Sequence, residues 1–195
     1  MAFAKIDVTK GITGTIPVAN GGTGLASGTS GQFLKFTGST TLASSALGDV
    51  GKVLQVIDYQ AASYVNTNSN SYVNFSSMAV TITPSATSSK ILLTHSAPSM
   101  LYVDNTSNMA HVSLFRDSTN ITTAGHNNSY ASYDQTNYQE GSSFTYLDSP
   151  NTTSAITYRI KCKVDNTSMS FVYGTHYSNG SQPRMSGLTA MEIGA

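Results

Sequence analysis

Ile156-Thr157-Tyr158-Arg159-Ile160-Lys161-Cys162-Lys163-Val164 alternates without a break: every even-numbered residue suits a core and every odd-numbered one is polar. Successive side chains of a β-strand point to opposite faces, so this stretch reads as a strand with one dry and one wet face. Cys162 falls on the dry face as a small apolar residue, and as the sole cysteine it can form no intrachain disulfide. Working outward, runs of β-branched and aromatic residues broken by Asn, Ser, Gly and Pro mark further strands at 53–59, 72–75, 79–83, 90–96, 100–103, 111–116, 143–147, 169–173 and 188–193. Val80 and Ile82 should point inward, as should Val112 and Leu114, with His111, Ser113 and Phe115 on the opposite face. Glu192 is expected to point outward or to a subunit contact. Many short strands at turn-bounded spacing predict an all-β chain whose residues 51–195 form a β-sandwich, jelly-roll-like head. Phe115, Tyr173, Tyr177 and Met185 are candidates for contact between such heads, with an ordinary core position as the alternative.

Residues 1–50 contain no segment able to build its own core and read as an extended stalk or attachment arm. Two stretches in the chain repeat the pattern Gly, polar, apolar, Leu, polar, apolar: Gly31-Gln32-Phe33-Leu34-Lys35-Phe36 and Gly51-Lys52-Val53-Leu54-Gln55-Val56. Each is expected to be a glycine leading into a short strand. Two copies are too few for a solenoid. Residues 42–47 suggest one helical turn closed by Gly48. Upstream, Ile16-Pro17-Val18-Ala19-Asn20-Gly21-Gly22-Thr23-Gly24 places two apolar residues around a proline-fixed backbone and follows them with three glycines. A single chain offers Ile16 and Val18 no nearby partner, so copies of the chain are expected to bury them around a shared axis. The alternative is a flexible Gly/Thr linker.

Gly11 to Gly24, with its Pro-Val-Ala-Asn-Gly-Gly-Thr-Gly run, resembles a short motif of bacteriophage tail-fibre and related virion-fibre proteins. Gly51 to Val56, Thr83 to Leu92 and Tyr146 to Pro150 are similar to parts of the C-terminal domains that marine and cyanobacterial phage proteins of this kind carry. The resemblance implies a homotrimeric structural protein of a virion, often with a receptor-binding tip. Ile16, Val18, Asn20, Gly21, Gly22 and Gly24 then become candidates for the trimer axis or for attachment to other tail, baseplate or capsid proteins. It supplies no catalytic residue.

Composition narrows the function classes. Charged residues are 10% of the 195-residue chain and the formal net charge is zero, against about a quarter charged in an average soluble domain. Such a chain lacks an overall electrostatic footprint for nucleic acid or anionic lipid, and its surface should meet neutral polar partners better than phosphates. No run of residues is long and apolar enough for a membrane span, and the first residues lack the apolar stretch of a secretory signal. The expectation is synthesis in a host cytoplasm and residence in the virion, without membrane insertion.

Nucleophile elbows, Walker loops, His-Glu-x-x-His and paired zinc-ligand cysteines are absent from the sequence. Asp134 and Glu140 could form a glycosidase carboxylate pair, but both lie in a polar stretch without a rigid setting. His95, His111, His126 and His176 show no paired ligand spacing. The expectation is no enzyme, no metal and no cofactor. Recognition is suggested instead by residues 125–141, where tyrosines stand among amides and acids. Tyrosine offers a sugar ring a flat apolar face, and amides and carboxylates satisfy its hydroxyls. His126, Tyr130, Tyr133, Asp134, Gln135 and Tyr138 are the candidate glycan or receptor contacts, with a bacterial surface glycan or lipopolysaccharide as partner. The alternative is a surface connection whose tyrosines pack back on the sheet. Residues 59–72 share the vocabulary at lower aromatic density. The rival functions are a non-receptor virion protein, such as a head fibre, capsid decoration or connector, and a small glycan-degrading tailspike.

Overall fold

The structure is a computed structural model that describes residues 23, 29–39, 41–46, 48, 51–102, 108–122, 130–132, 138–168, 170–176, 182–183 and 185–195. By its internal contacts the chain divides into two units, Met1–Asp49 and Val50–Ala195. Among the described residues there is no helix. In the first unit, β1 (Phe33–Gly38) pairs antiparallel with β2 (Thr41–Ser45). The helical turn expected at 42–47 is therefore a strand: Leu42 sits opposite Phe36 and Ala43 opposite Lys35, and cross-strand pairing overrides the local helix preference of Leu and Ala. All six residues of β1 are exposed, Phe33 at 60% and Phe36 at 66%.

The second unit contains β3 (Val53–Ala62), β4 (Val65–Thr67), β5 (Val73–Ile82), β6 (Lys90–Tyr102), β7 (Asn108–Arg116), β8 (Thr119–Asn120), β9 (Tyr130–Ser132), β10 (Tyr138–Asp148), β11 (Ile156–Val164), β12 (Ser170–Tyr173), β13 (Thr175–His176), β14 (Gln182–Pro183) and β15 (Met185–Ile193). One sheet has six strands in the order β3-β15-β6-β12-β4, with β10 also on β6; another has five, β5-β11-β7-β8, with β9 also on β7. All these pairings are antiparallel. The buried faces meet in one core. Ile91, Leu93, Leu188 and Ala190 come from the six-stranded sheet, and Val80, Ile82, Val112, Leu114, Tyr158 and Ile160 from the five-stranded one. This is a β-sandwich.

β11 behaves as its sequence dictates, with Ile156, Tyr158, Ile160, Cys162 and Val164 buried and the intervening residues half-exposed. Gly31 and Gly51 both have positive φ, 79° and 73°, and each precedes by two residues the strand expected after it. Several strands are longer than expected. Residues 90–96 and 100–103 join into β6, which crosses Pro98 without interruption, and β10 starts at Tyr138 instead of residue 143. Residues 72–75 and 79–83 join as β5, whose pairing with β11 passes from Asn74↔Lys161 to Ala79↔Arg159, so that Phe75 to Met78 stand opposite Ile160 alone. The extra residues carry Phe75 and Met78 fully into the core. Phe75 packs edge-on against Tyr173, with ring centroids 4.9 Å apart. A side chain at Gly174 (φ 91°) would strike the Phe75 ring at 2.7 Å as well as the Ser63 carbonyl.

The sheets are also fastened by polar groups. Asp148, at the end of β10, accepts two hydrogen bonds from Arg116 Nη1, at 3.0 and 2.9 Å, and one from the Tyr158 hydroxyl at 2.6 Å. Its carboxylate thus joins the last residue of β7 and the middle of β11 to the six-stranded sheet. Burial raises the Tyr158 phenol well above its ordinary pKa, and the hydrogen bond and charge of Asp148 add to this against an opposing pull from Arg116. Glu192 corrects the sequence reading. It shares the inward face of β15 with Leu188 and Ala190 and is fully buried. Gln55 donates to it at 2.6 Å, and the Ser85 amide and hydroxyl at 2.7 and 2.6 Å. Burial alone would raise its carboxyl pKa, but these bonds outweigh burial and hold it down at about 2.

Asp148→Ala should destabilise the fold by about 3 kcal/mol, because it strands Arg116 and leaves a buried phenol unpaired. Urea unfolding measures this, and a loss below about 1 kcal/mol would mean that the sheets do not depend on the clasp. Gly174→Ala should also lower the urea midpoint, whereas Gly48→Ala, with open space around it, should leave it unchanged.

Candidate functional site

The tyrosine-rich stretch does not form one long loop. Tyr130 opens β9 opposite Ala110 of β7, on the five-stranded sheet, and Tyr138 opens β10 opposite Leu101 of β6, on the six-stranded sheet. β6 ends at Tyr102 and β7 begins at Asn108. Both tyrosine positions therefore lie at the end of the sandwich where β6 gives way to β7, one on each sheet. His126, Tyr133, Asp134 and Gln135 lie outside the described residues, as do Ile16, Val18, Asn20, Gly21, Gly22, Gly24 and Tyr177. Glu140 sits in β10 opposite Ser99, so its backbone is part of a paired strand and not of a loop. Of residues 59–72, the first four belong to β3 and Val65–Thr67 form β4.

The other expected contact residues divide cleanly. Tyr173 is fully buried and belongs to the core, and Phe115, 7% exposed, is covered on the outer face of the five-stranded sheet by Lys161, whose Nζ stands 4.3 Å from the ring centroid. Met185 is 61% exposed.

Tyr173 takes part in a polar chain sealed inside the sandwich. His95 Nδ1 lies 2.6 Å from the Gly187 carbonyl, which can only accept, so Nδ1 carries the proton. His95 Nε2 is then the acceptor for the Tyr173 hydroxyl at 2.7 Å, and that oxygen is in turn bonded by Ser142. Burial lowers the His95 pKa to about 4, only partly offset by the Gly187 carbonyl, and burial raises the Tyr173 phenol. Cys162 is likewise pushed up to about 12 by burial and remains a thiol. His95 and Tyr173 are buried and bonded to each other, an arrangement that fixes how β6, β12 and β15 pack.

Three surface features mark the sandwich faces. On the outer face of the six-stranded sheet, Asp58, Gln60, Thr94, His95, Ser96, Gly187 and Thr189 line a shallow depression of about 230 Å³. Asp58 is held there by Thr189 Oγ1 at 2.6 Å and Gln60 Nε2 at 2.9 Å. One step along the same face, cross-strand register sets Leu147 beside Leu92, Leu92 beside Met191, and Met191 beside Val56, with Ile193 and Val53 as the next pair. Leu147, Val56 and Val53 are 56%, 52% and 54% exposed. The outward row of β11 contributes Arg159, Lys161 and Lys163 on the other sheet. Among the described residues, no group of three His, Cys, Asp or Glu side chains could hold a metal, and no helix is long and apolar enough to cross a membrane.

No protein-family model matches the chain, and no curated protein matches it in sequence. Solved structures that are similar include infectious bursal disease virus Gx strain, with 11% identity and a TM-score of 0.37 over 83% of this chain and 41% of that one. The T13 particle of the same virus gives 13% and 0.35 over 83% and 39%, and its VP2 subviral particle 8% and 0.35 over 82% and 45%. The chain thus spans about two fifths of the length of the structures it matches. A likeness at that level fixes neither topology nor function.

The His95 environment sets a pH dependence. The unfolded histidine takes up its proton near pH 6.5 and the folded one only near pH 4, so the unfolded state binds more protons in between. Stability should be complete above pH 6.5 and fall by roughly 3 kcal/mol as the pH drops to about 4. Glu192 should extend the loss from pH 4.5 towards 2. Urea midpoints measured across this range should lose their slope between pH 6.5 and 4 in His95→Gln, and an unchanged slope would assign it to another group.

Proposed function

We propose that this chain is a structural fibre protein of a bacteriophage virion, a homotrimer that recognises a bacterial surface glycan without catalysis. The observation that carries the reading is apolar surface that one copy leaves in water. In the first unit, Leu34 and Phe36 share a face of a two-stranded hairpin with Leu42, and Phe33 stands exposed on the other. Two strands alone are at best marginally stable in water, so such a hairpin calls for burial against something else. In the second unit, the row Leu147, Leu92, Met191 and Val56 runs across neighbouring strands of the six-stranded sheet. Apolar surface in both units is what copies of a chain related by a common axis would cover. The resemblance of Gly11 to Gly24 to virion-fibre motifs supports the same reading, with the N-terminal region bound to other virion proteins.

Receptor contact is assigned to the end of the sandwich that carries Tyr130 and Tyr138, together with His126, Tyr133, Asp134 and Gln135 from the same stretch. Strand ends on a rigid sandwich are suited to present such residues. A non-receptor virion protein is the second reading, favoured if the apolar row is covered by a different protein.

Light scattering after gel filtration should give a mass of three chains. Changing Phe33, Phe36, Val56 and Leu147 together to serine should shift it towards one chain while far-ultraviolet circular dichroism keeps its β signature. A stable monomer of the unaltered chain would overturn the trimer. On an array of bacterial surface glycans, Tyr130→Ala, Tyr133→Ala and Tyr138→Ala combined should abolish saturable binding. Undiminished binding would move the receptor site elsewhere.

A further inference from the structure

Three of the ten cations in this chain of zero net charge, Arg159, Lys161 and Lys163, occupy successive outward positions of one strand. Alternate residues of a strand lie about 6.7 Å apart, so the stripe is roughly 13 Å long. Charges on strands commonly guard an open sheet edge against pairing. β11 has no open edge along this stretch, for β5 and β7 flank it. Of the three, only Lys163 has an acid partner among the described residues. Lys163 Nζ meets Asp165 at 3.2 Å, and that carboxylate is shared with His111 Nε2 at 2.8 Å. The His111 hydrogen bond is the chief cause that lowers the Asp165 pKa. Lys161 leans over Phe115, and neither it nor Arg159 meets an acid among the described residues.

Their neighbours are uncharged hydrogen-bonding groups. Asn74 stands beside Lys161 in the register, and Thr81 and Thr157 share a 2.9 Å hydrogen bond just beyond Arg159. Beneath the stripe, Tyr72 and Phe115 pack edge-on at 5.1 Å, and the Tyr72 hydroxyl is tied to Ser113 at 2.9 Å, which makes the floor rigid. Like charges in a row repel one another, and a polyanion laid along the strand would relieve that repulsion.

We infer that the outer face of the five-stranded sheet, along Arg159, Lys161 and Lys163, binds an acidic glycan. A set of three cations is small for nucleic acid, whose binders neutralise about six to ten phosphates. It suits a polymer whose acidic groups are separated by uncharged sugar, with Asn and Thr placed to bond the hydroxyls between them. This inference rests on the glycan-recognition reading and names the class of glycan. It adds a contact along β11 to the one assigned to the end of the sandwich that carries Tyr130 and Tyr138.

The test is binding of the full chain, at low salt, to immobilised carboxymethyl dextran, phosphorylated dextran and unmodified dextran, with duplex DNA as competitor. Binding to either acidic polymer but not to plain dextran is expected, and the preferred one identifies carboxylate or phosphate as the recognised group. Arg159→Gln, Lys161→Gln and Lys163→Gln combined should weaken binding at least tenfold, and Lys52→Gln with Lys90→Gln on the other sheet should not. Arg159→Gln alone, which leaves the Lys161 contact with Phe115 in place, should weaken it about threefold. Equal binding by the triple variant, absence of binding to both acidic polymers, or tighter binding of DNA would each overturn the assignment. The fibre reading stands or falls separately, on the solution mass.

Discussion

Register is the constraint on which this sandwich depends, and β11 enforces it. With Tyr158 aligned to Val80 on one side and to Arg116 on the other, its even-numbered residues meet the core. A slip by one residue would exchange Ile160 and Cys162 for Lys161 and Lys163 and drive cations into a medium that cannot solvate them. The penalty on that error is much larger than any single favourable contact on the strand. The cations that make the outer face interesting for binding are therefore also what makes the inner face unambiguous.

Around that fixed strand the polar groups of the core act as alignment pins more than as sources of stability. Asp148 can reach Arg116 and Tyr158 together only when β10 lies at one position over β7 and β11. Glu192 can be satisfied by Gln55 and Ser85 only when β15 and β3 are paired as observed. His95 makes the same demand on β12 and β15 through Tyr173 and Gly187. Each buried polar group removes an alternative packing, because misalignment would leave it without a partner.

What the sequence made legible was whatever period-two alternation or a local backbone requirement encodes. Ile156 to Val164 could be read residue by residue, and the repeated glycines at 31 and 51 announced the strands after them because each needs a left-handed backbone. Information held between strands was not legible. Glu192 is inward because of the parity of β15, and its solvation comes from Gln55, 137 residues away. Phe75 to Met78 look like a break in a strand because their reason lies across the core, where Phe75 packs on Tyr173 and fills the space beside Gly174. The apolar row on the outer face draws one residue each from β10, β6, β15 and β3, so no window of sequence contains it. The cation stripe was in plain view, but a net charge of zero hid it: among the described residues only Lys163 has an acid beside it, and the acids that offset Arg159 and Lys161 in the sum lie elsewhere.

The strand order also carries a consequence for biosynthesis. β15 lies between β3 and β6, strands made some ninety or more residues earlier. Until residue 193 has left the ribosome, the middle of the six-stranded sheet is a gap with an unpaired edge on each side. Any other extended segment that reached this slot first, including β15 of a neighbouring nascent chain, would find the same hydrogen-bonding groups waiting. Assembly of the sheet therefore waits on the synthesis of β15, and for this interval exchange of β15 between copies competes directly with correct closure.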